Sequence, residues 1–272
     1  MLFTPRHDIA LYWSLWATRE SYVPLCPKNQ MNKNYFIGKP NENVYRFTTV
    51  KWLLDSIVQK RNTLVSPRKW QDPFENALAA QLLYKRPDGS VSPYPFRDRA
   101  YGQCWTLVPE TDAFWRMYSP QGDGVRLKST TRTLYETIKS CTSYPSTSCF
   151  IGRVRYKSED KITAMFNDKR WVKRHFQNQG ARGHLKTLLL KRVEFKPENE
   201  IRLLYFDPHN KDYGDVYHYT IDPSSTFSEI TFDPRMEDTL YSTYESVLRS
   251  IGFDGEINKS HLYRAPQLTI CV

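Results

Sequence analysis

Apolar residues along this chain form short blocks, some with the alternating spacing of a strand and others with the three- and four-residue spacing of a helix. The block VYRFTT at 44–49 predicts a strand, because valine, tyrosine, phenylalanine and threonine suit a pleated surface. Directly after it, Trp52, Leu53, Ile57 and Val58 recur at helical spacing behind a threonine that can cap the helix. Further strands are predicted at 62–67, 102–107, 124–128, 150–156, 199–206, 227–232 and 262–264, and further helices at 8–20, 76–84, 109–118, 129–140 and 236–250.

The order of these blocks predicts an α+β fold. Short strands interleave with helices, but they lack the regular strand–helix–strand spacing of a doubly wound parallel sheet. No repeat and no low-complexity linker divides the chain. We therefore expect residues 1–43, which are rich in proline and polar residues, to form an N-terminal extension. Residues 44–272 should form a single α+β domain of mixed and antiparallel strands.

The net charge of +10 is concentrated in one segment. Residues 168–192 contain eight basic residues, Lys169, Arg170, Lys173, Arg174, Arg182, Lys186, Lys191 and Arg192. Basic side chains mixed with aromatic rings suit phosphates and unstacked bases. We therefore expect a nucleic-acid-binding surface formed by Lys169, Arg170, Trp171, Lys173 and Arg174. The alternative is an ordinary solvated helix face whose tryptophan packs inward.

Several classes of function lack support in the sequence. No apolar run approaches the ~20 residues of a membrane span, and Arg6, His7 and Asp8 stand where a signal peptide would be apolar. We expect a cytoplasmic protein without a membrane partner. The five cysteines have no CxxC spacing and are expected to be reduced. Motifs for a phosphate loop, a zinc protease or a serine hydrolase are missing, and no metal is expected.

Two carboxylates lead the predicted strand 199–206. Glu198 and Glu200 stand one residue apart, immediately before an apolar run. In an extended chain Glu198, Glu200 and Arg202 share one face, whereas Ile201 and Leu203 share the other. We therefore expect the acids to project into a cleft while the alternate residues anchor the strand in the core.

An ordered set of short motifs resembles the bacterial domain-of-unknown-function family 2971. The motifs are YRFT at 45–48, SPRKWQDPFE at 66–75, CWT followed by FWRMY at 104–118, GVRL at 124–127 and ENEIR at 198–202. The resemblance extends from about Tyr45 to Arg264. The chain departs from the family pattern at Gln71, where asparagine is usual, and at Ile201, where an aromatic residue is usual. The family name states no function.

The same layout resembles the ADP-ribosyltransferase fold, in which NAD is the substrate. By position, this second resemblance implies that Arg46 holds NAD, with Thr48 as a neighbouring hydroxyl. Thr106, Trp115 or Tyr118 would line the nicotinamide and the ribose. An arginine can match a diphosphate with two parallel hydrogen bonds, and an aromatic ring can stack on nicotinamide.

The resemblance also implies that Glu200 is the catalytic acid, with Glu198 beside it. Cleavage of the nicotinamide–ribose bond leaves a sugar with oxocarbenium character, which a neighbouring anion stabilises. The implied function is that of an NAD-dependent ADP-ribosyltransferase-like enzyme, such as a toxin or antiviral defence effector, that modifies nucleic acid or protein. A regulatory or antitoxin partner would accompany a toxin.

Alternatives remain open for the residues and for the function. The charged residues can form ion pairs instead, Glu200 with Arg202 or a lysine at the surface, and Arg46 with Asp72 or Glu75. The two aromatic residues of helix 109–118 can be core residues. The enzyme can hydrolyse NAD with water as the acceptor, or the protein can bind nucleic acid through residues 169–192 without being an enzyme.

Overall fold

A computed structural model describes residues 34–39, 41–70, 72, 74–75, 83–86, 88–94, 97–177, 180–209, 211 and 213–270. Within these residues the strands are β1 (Tyr35–Phe36), β2 (Asn43–Thr49), β3 (Arg61–Val65), β4 (Leu83–Lys85), β5 (Val91–Pro93), β6 (Ala100–Thr106), β7 (Gly124–Thr130), β8 (Cys149–Arg153), β9 (Arg155–Lys157), β10 (Leu190–Arg192), β11 (Glu200–Phe206), β12 (Val216–Thr220), β13 (Glu229–Phe232) and β14 (Glu256–Lys259). The α-helices are Val50–Val58, Asp112–Tyr118, Thr131–Ser140, Pro145–Ser148, Glu159–Asn167, Lys169–Val172, Gly180–Thr187, Pro223–Thr226 and Asp238–Ser250. Turns of 3₁₀ helix lie at Pro67–Lys69, Arg97–Arg99 and Val193–Glu198, and a π-helical turn lies at Lys173–Gln177. Of the helices described, none is long and apolar enough to cross a membrane.

One large mixed sheet organises the described residues. Its strand order is β1-β8-β11-β6-β2-β7-β13-β14, with β3 attached to β6 and β12 attached to β3. The pairs β1–β8 and β13–β14 are parallel and the other pairs are antiparallel. This mixed sheet, interleaved with helices, confirms the predicted α+β class. Strand β1 lies inside the segment that we expected to be an extension, and it pairs with β8.

Strand β11 is buried along its whole length because both of its faces are covered. Ile201, Leu203 and Tyr205 join the large core of the protein. Leu204 and Phe206 join a smaller cluster on the opposite face, with leucines from and next to the helix Gly180–Thr187. The first residues on this second face are charged, so the strand carries charged side chains into a buried position at its beginning.

Gly102 of β6 allows an aromatic ring to lie close to the sheet. A Cβ at this position would be 2.8 Å from Cζ2 of Trp70 and 3.0 Å from Cδ2 of Leu204. The guanidinium of Arg202 lies over the Trp70 ring, 4.2 Å from its centroid. Because Gly102 has no side chain, the Trp70 ring has room to lie against the sheet and to contact Arg202 near the beginning of β11.

The predicted elements differ from the structure in a few places. The predicted strand at 262–264 is wrong, because the last strand is β14, which ends at Lys259 and pairs with β13. The predicted helix 76–84 is wrong at its end, since Leu83 and Tyr84 belong to β4. Residues 76–82 and the predicted helix 8–20 lie outside the described residues. The predicted strand 150–156 is divided in the structure, since β8 ends at Arg153 and β9, in a different sheet, begins at Arg155. The other predicted strands from 44–49 to 227–232 and the helices at 50–58, 112–118, 131–140 and 238–250 are confirmed.

A helical module, residues 159–187, is inserted between β9 and β10. Its described helices are Glu159–Asn167, Lys169–Val172 and Gly180–Thr187, with the π-helical turn between the last two. Aromatic rings of the module pack together, including those of Phe166, Trp171 and Phe176. The strands on either side of the module pair with each other in parallel, with Tyr156 opposite Lys191. This pairing brings the two ends of the module together.

Candidate active site

The main sheet forks at β6, and the fork exposes the middle of that strand. Along one edge β6 pairs with β11 over its whole length. Along its other edge, β2 pairs only at Thr106, through Tyr45, and β3 pairs only at Gly102, through Val65. Cys104 lies between these two points and is exposed, although the other residues of β6 are buried. The fork is therefore an opening in the sheet with Cys104 at its floor.

Buried side chains connect the strands beside the fork. The carboxamide of Gln103 donates to Oδ1 of Asn62 at 2.7 Å and accepts from Nδ2 of Asn62 at 3.2 Å. The same Gln103 oxygen accepts from the indole N–H of Trp105 at 2.8 Å, and Asn62 also donates to the hydroxyl of Tyr219 at 2.9 Å. Fully bonded buried networks of this kind are rigid. The network links β6 to β3 through side chains, next to the single paired position of these two strands.

Glu200, the predicted catalytic acid, is the first residue of β11 and pairs with Thr106 beside the fork. Glu200 is only 3% exposed. Arg202 binds both carboxylate oxygens, with 2.8 Å from Nε to Oε1 and 3.0 Å from Nη2 to Oε2. Nζ of Lys191 lies 3.2 Å from Oε2. The ion pair considered as an alternative for Glu200 therefore exists, but it is buried and does not lie on the surface.

Glu198 reaches the same cluster from outside the strand. The expectation that Glu198 shares a strand face with Glu200 is wrong, because β11 begins at Glu200 and Glu198 ends a 3₁₀ turn. Between them, Asn199 has a left-handed backbone with φ of 43°, which turns the chain into the strand. Nζ of Lys191 is 2.6 Å from Oε2 of Glu198. One lysine therefore binds both of the acids that the sequence singled out.

Glu75, Lys191 and Arg202 complete the charged cluster around Glu200, and no role was assigned to them from the sequence. Arg202 donates to Glu75, and Nζ of Lys191 lies 3.9 Å from Oε2 of Glu75. Three carboxylates thus share two cations, which leaves the cluster with one formal negative charge. Glu75 does end the QDPFE motif and Lys191 does lie in the basic run. Neither feature indicates on its own that the two side chains meet.

Arg46 of β2 has no carboxylate partner among the described residues. It does not pair with Asp72 or Glu75, since Asp72 accepts from Nη2 of Arg192 at 2.9 Å and Glu75 accepts from Arg202. Asp72 also accepts from the N–H of Phe74 at 3.0 Å, a bond that is typical of an aspartate in a turn. Burial lowers the pKa of Arg46, and Cys104, Tyr219 and Tyr118 act in the opposite direction. Arg46 is therefore a half-buried cation that can accept an anionic ligand.

The two predicted aromatic residues have different positions. Tyr118 is 40% exposed and stacks on Phe47 with the ring centroids 6.1 Å apart. Burial is the largest cause that raises the pKa of Tyr118, and Glu198 raises it further. Trp115 is completely buried and donates its indole N–H to Glu110 at 2.6 Å. Trp115 is therefore not available to stack on a ligand, contrary to its expected role, and the core alternative describes it.

The two predicted threonines also differ. The hydroxyl of Thr106 donates to the carbonyl oxygen of Glu198 at 2.6 Å and accepts from the N–H of Val108 at 3.0 Å. Thr106 thus fastens the turn before β11 to β6, and its hydroxyl is occupied by these bonds. Its role in lining a ligand stays a prediction. Thr48 is half-buried and lies two residues after Arg46 on the same side of β2. Thr48 remains a candidate neighbour of the ligand.

The surroundings shift the pKa values of Glu200 and Glu198 in opposite directions. Burial opposes ionisation of Glu200, but Arg202 and Lys191 outweigh it and lower its pKa to about 2. At Glu198 burial is the largest influence and raises the pKa in spite of Lys191. At neutral pH Glu200 is a fixed anion, whereas Glu198 takes up a proton more readily. Pairs of acids whose pKa values are driven apart are typical of acid–base sites.

The predicted nucleic-acid contacts lie on the helical module. Four of them are exposed cations, Lys169, Arg170, Lys173 and Arg174. Among the described residues, none of the four forms an ion pair. Trp171 is half-buried and stacks on His175, with the ring centroids 4.2 Å apart. Lys191, at the end of the same basic run, belongs to the buried carboxylate cluster instead.

Known proteins resemble this chain in part of its sequence and in its fold. A family model described as a protein of unknown function (DUF2971) matches residues 114–203, and this match confirms the resemblance to that family over those residues. No curated protein matches the sequence. The fold is similar to that of DarT from Thermus sp. 2.9 in complex with NAD+, with a TM-score of 0.38 and 10% identity over 80% of this chain and 95% of that chain. For the same DarT in complex with ADP-ribosylated ssDNA, the TM-score is 0.39 and the identity 9% over 80% of this chain and 94% of that chain.

Proposed function

We propose that this protein transfers ADP-ribose from NAD to an acceptor, and that the acceptor is a nucleic acid. The observation that carries the proposal is the set of groups around the fork. Arg46 offers a guanidinium without a carboxylate partner among the described residues, Tyr118 offers a partly exposed ring, and Glu200 is a buried anion. These groups suit the diphosphate, the nicotinamide and the reacting ribose of NAD, respectively. The resemblance of the sequence to the ADP-ribosyltransferase fold gives the same three residues the same roles.

The reaction divides between the two acids. The bond between ribose and nicotinamide breaks, its electron pair leaves with the neutral nicotinamide, and positive charge develops on the ribose. Glu200, ionised because of Arg202 and Lys191, stabilises that charge. An acceptor nucleophile then bonds to the anomeric carbon and gives its proton to Glu198, whose raised pKa favours proton uptake. With water as the acceptor, the same groups would hydrolyse NAD.

The proposal is tested by incubating the purified protein with NAD, alone and with single- or double-stranded oligonucleotides. We expect nicotinamide release and an oligonucleotide whose mass increases by one ADP-ribosyl group, measured by chromatography and mass spectrometry. Nicotinamide release without a modified oligonucleotide would indicate hydrolysis or a protein acceptor. If no nicotinamide is released under any of these conditions, the proposed activity is wrong.

Arg46→Lys is expected to weaken NAD binding about tenfold or more, because an ammonium cannot reproduce a planar contact with two parallel hydrogen bonds. The measurement is a calorimetric titration with NAD. The matched control is Arg132→Lys, since Arg132 is exposed on the helix Thr131–Ser140. Equal NAD affinity in the two variants would remove Arg46 from the proposed site.

A second candidate function, nucleic-acid binding without catalysis, is favoured by the four exposed cations of the module. Replacing Lys169, Arg170, Lys173 and Arg174 with glutamine should weaken oligonucleotide binding and reduce the log–log salt slope by about one unit per lost contact. Stacking on Trp171 would leave a component that salt does not remove. The measurement is a salt titration of binding.

The control for this titration removes the same charge from exposed cations elsewhere, at Lys39, Lys51, Lys60 and Arg132. Identical slopes in the wild type and the module variant would show that the module presents its charges only to solvent. A protein would then be the better candidate acceptor. Binding that depends on the module, without nicotinamide release, would favour the second candidate function.

A further inference from the structure

The two strands that flank the helical module, β9 and β10, both contact Glu200. Tyr156 of β9 and Lys191 of β10 are opposite each other in their parallel pair, which places their side chains next to each other on one face. Lys191 binds the carboxylate of Glu200 at 3.2 Å. The hydroxyl of Tyr156 accepts a hydrogen bond from the backbone N–H of Glu200 at 2.8 Å. Lys191 therefore binds the side chain of Glu200, and Tyr156 binds its backbone.

The N–H of Glu200 has no backbone partner in β8, because β8 ends at Arg153, which is opposite Ile201. The N–H of Leu107 donates to the carbonyl of Asn199, so in the alternating antiparallel pattern the backbone of Glu200 faces away from β6. On that side the carbonyl of Glu200 accepts from the N–H of Val154 at 2.9 Å, just after the end of β8. The N–H of Glu200 is met by the Tyr156 hydroxyl instead of by a strand.

We propose that Tyr156 is a positioning residue for Glu200, whose backbone it fixes while Lys191 fixes the carboxylate. The inference rests on the proposed function, in which Glu200 must face the ribose of NAD. The hydroxyl stabilises the turn at Asn199, whose left-handed φ of 43° is unusual for a residue other than glycine. Burial raises the pKa of Tyr156 to about 12, so the hydroxyl stays neutral near neutral pH.

Tyr156→Phe tests the proposal because it removes one oxygen atom and leaves the ring. We expect kcat for nicotinamide release to fall about 10- to 100-fold, as small displacements of a catalytic group do. KM for NAD should change little, because Arg46 and Tyr118 lie on other elements. The acid limb of the pH–rate profile should move to higher pH, because a displaced Glu200 loses contact with Arg202.

The matched control is Tyr101→Phe. Tyr101 is also buried, and its hydroxyl donates to the carbonyl of Gly214 at 3.4 Å, towards the opposite end of β6 from Thr106. The control should lose stability without a shift of the acid limb, since a purely structural hydroxyl does not affect ionisation of Glu200. If Tyr156→Phe has the same kcat and the same acid limb as Tyr101→Phe, the proposal is overturned.

Failure of the proposed function is distinguishable from failure of this inference. If the wild type releases no nicotinamide, the activity is wrong, and the position of Glu200 is then measured without it. The carboxyl ¹³C signal of Glu200, assigned from its loss in Glu200→Gln, is followed by NMR from neutral pH downward. A higher titration midpoint in Tyr156→Phe than in Tyr101→Phe supports the positioning role. Equal midpoints overturn it.

Discussion

Replacing Glu200 with glutamine is expected to lower the rate of nicotinamide release about 10²- to 10³-fold, the range found for other electrostatic stabilisers of a transition state. Glutamine keeps the size of the side chain and part of its hydrogen bonding, but it has no charge to stabilise the developing oxocarbenium. The effect should appear in kcat, because Arg46 and Tyr118 still bind NAD. Steady-state release of nicotinamide by the purified variant is the measurement.

The same substitution should also destabilise the protein, and a control must separate the two effects. Breaking a buried ion pair costs about 3–5 kcal/mol when one partner is left without its counter-charge. Glu75→Gln is the matched control, because Glu75 is also buried and binds the same two cations, Arg202 and Lys191. Both variants should unfold at lower urea concentration. Only Glu200→Gln should lose activity at temperatures where both are folded, and an equal loss in both would contradict the catalytic role.

The charge of Glu200 should also be visible as a dependence of stability on pH. Its folded pKa of about 2 lies below its ordinary value of 4.5. A depressed pKa contributes stability that is fully present above the unfolded value and is lost as pH falls through the folded value. The unfolding free energy of the wild type should therefore fall more steeply than that of Glu200→Gln between these two pH values. Urea unfolding at a series of pH values measures the difference.

Local sequence patterns predicted the elements that carry the site. The alternation in NEIRLLYF predicted β11, and one of its faces is apolar as expected. The pattern at 109–118 predicted the helix Asp112–Tyr118, which Thr111 caps by accepting from the N–H of Phe114 at 3.1 Å. Strand β12 was missed, although Tyr217 and Tyr219 alternate with exposed residues. Signals of this kind depend on residues a few positions apart, which is why they can be found in a sequence.

The arrangement of the site depends on contacts between distant segments, and the sequence did not reveal it. Trp115 and Tyr118 are three residues apart and both contact Phe47, but only Trp115 is buried and bonded to Glu110. The fork exists because β2 and β3 each leave β6 after a single paired residue. The position of Lys191 in the basic run suggested that its side chain lies at the surface. In the structure, three carboxylates from two segments surround it. Charge and spacing alone do not specify such partners.

Lys191→Met is expected to move the acid limb of the pH–rate profile to higher pH. Lys191 is a cation shared by Glu75, Glu198 and Glu200, and it lowers the pKa of each of them. Its removal leaves three carboxylates with one cation, so the pKa of Glu200 rises and a smaller fraction is ionised at a given acidic pH. Activity should be low on the acid side and should recover as pH rises. The stability contributed by Glu200 should also be lost at a higher pH than in the wild type.

Recovery at high pH is what separates this effect from simple damage to the fold. A misfolded variant would lose activity at every pH, whereas a variant with a displaced pKa regains activity once Glu200 is ionised. Lys196→Met is the matched control, because Lys196 is exposed in the 3₁₀ turn Val193–Glu198. The substitution removes the same charge five residues away from Lys191. Its acid limb should coincide with that of the wild type. If Lys191→Met and Lys196→Met give the same profile, the buried lysine does not control the ionisation of Glu200. The proposal that Glu200 acts as a fixed anion while Glu198 accepts a proton would then have no physical basis.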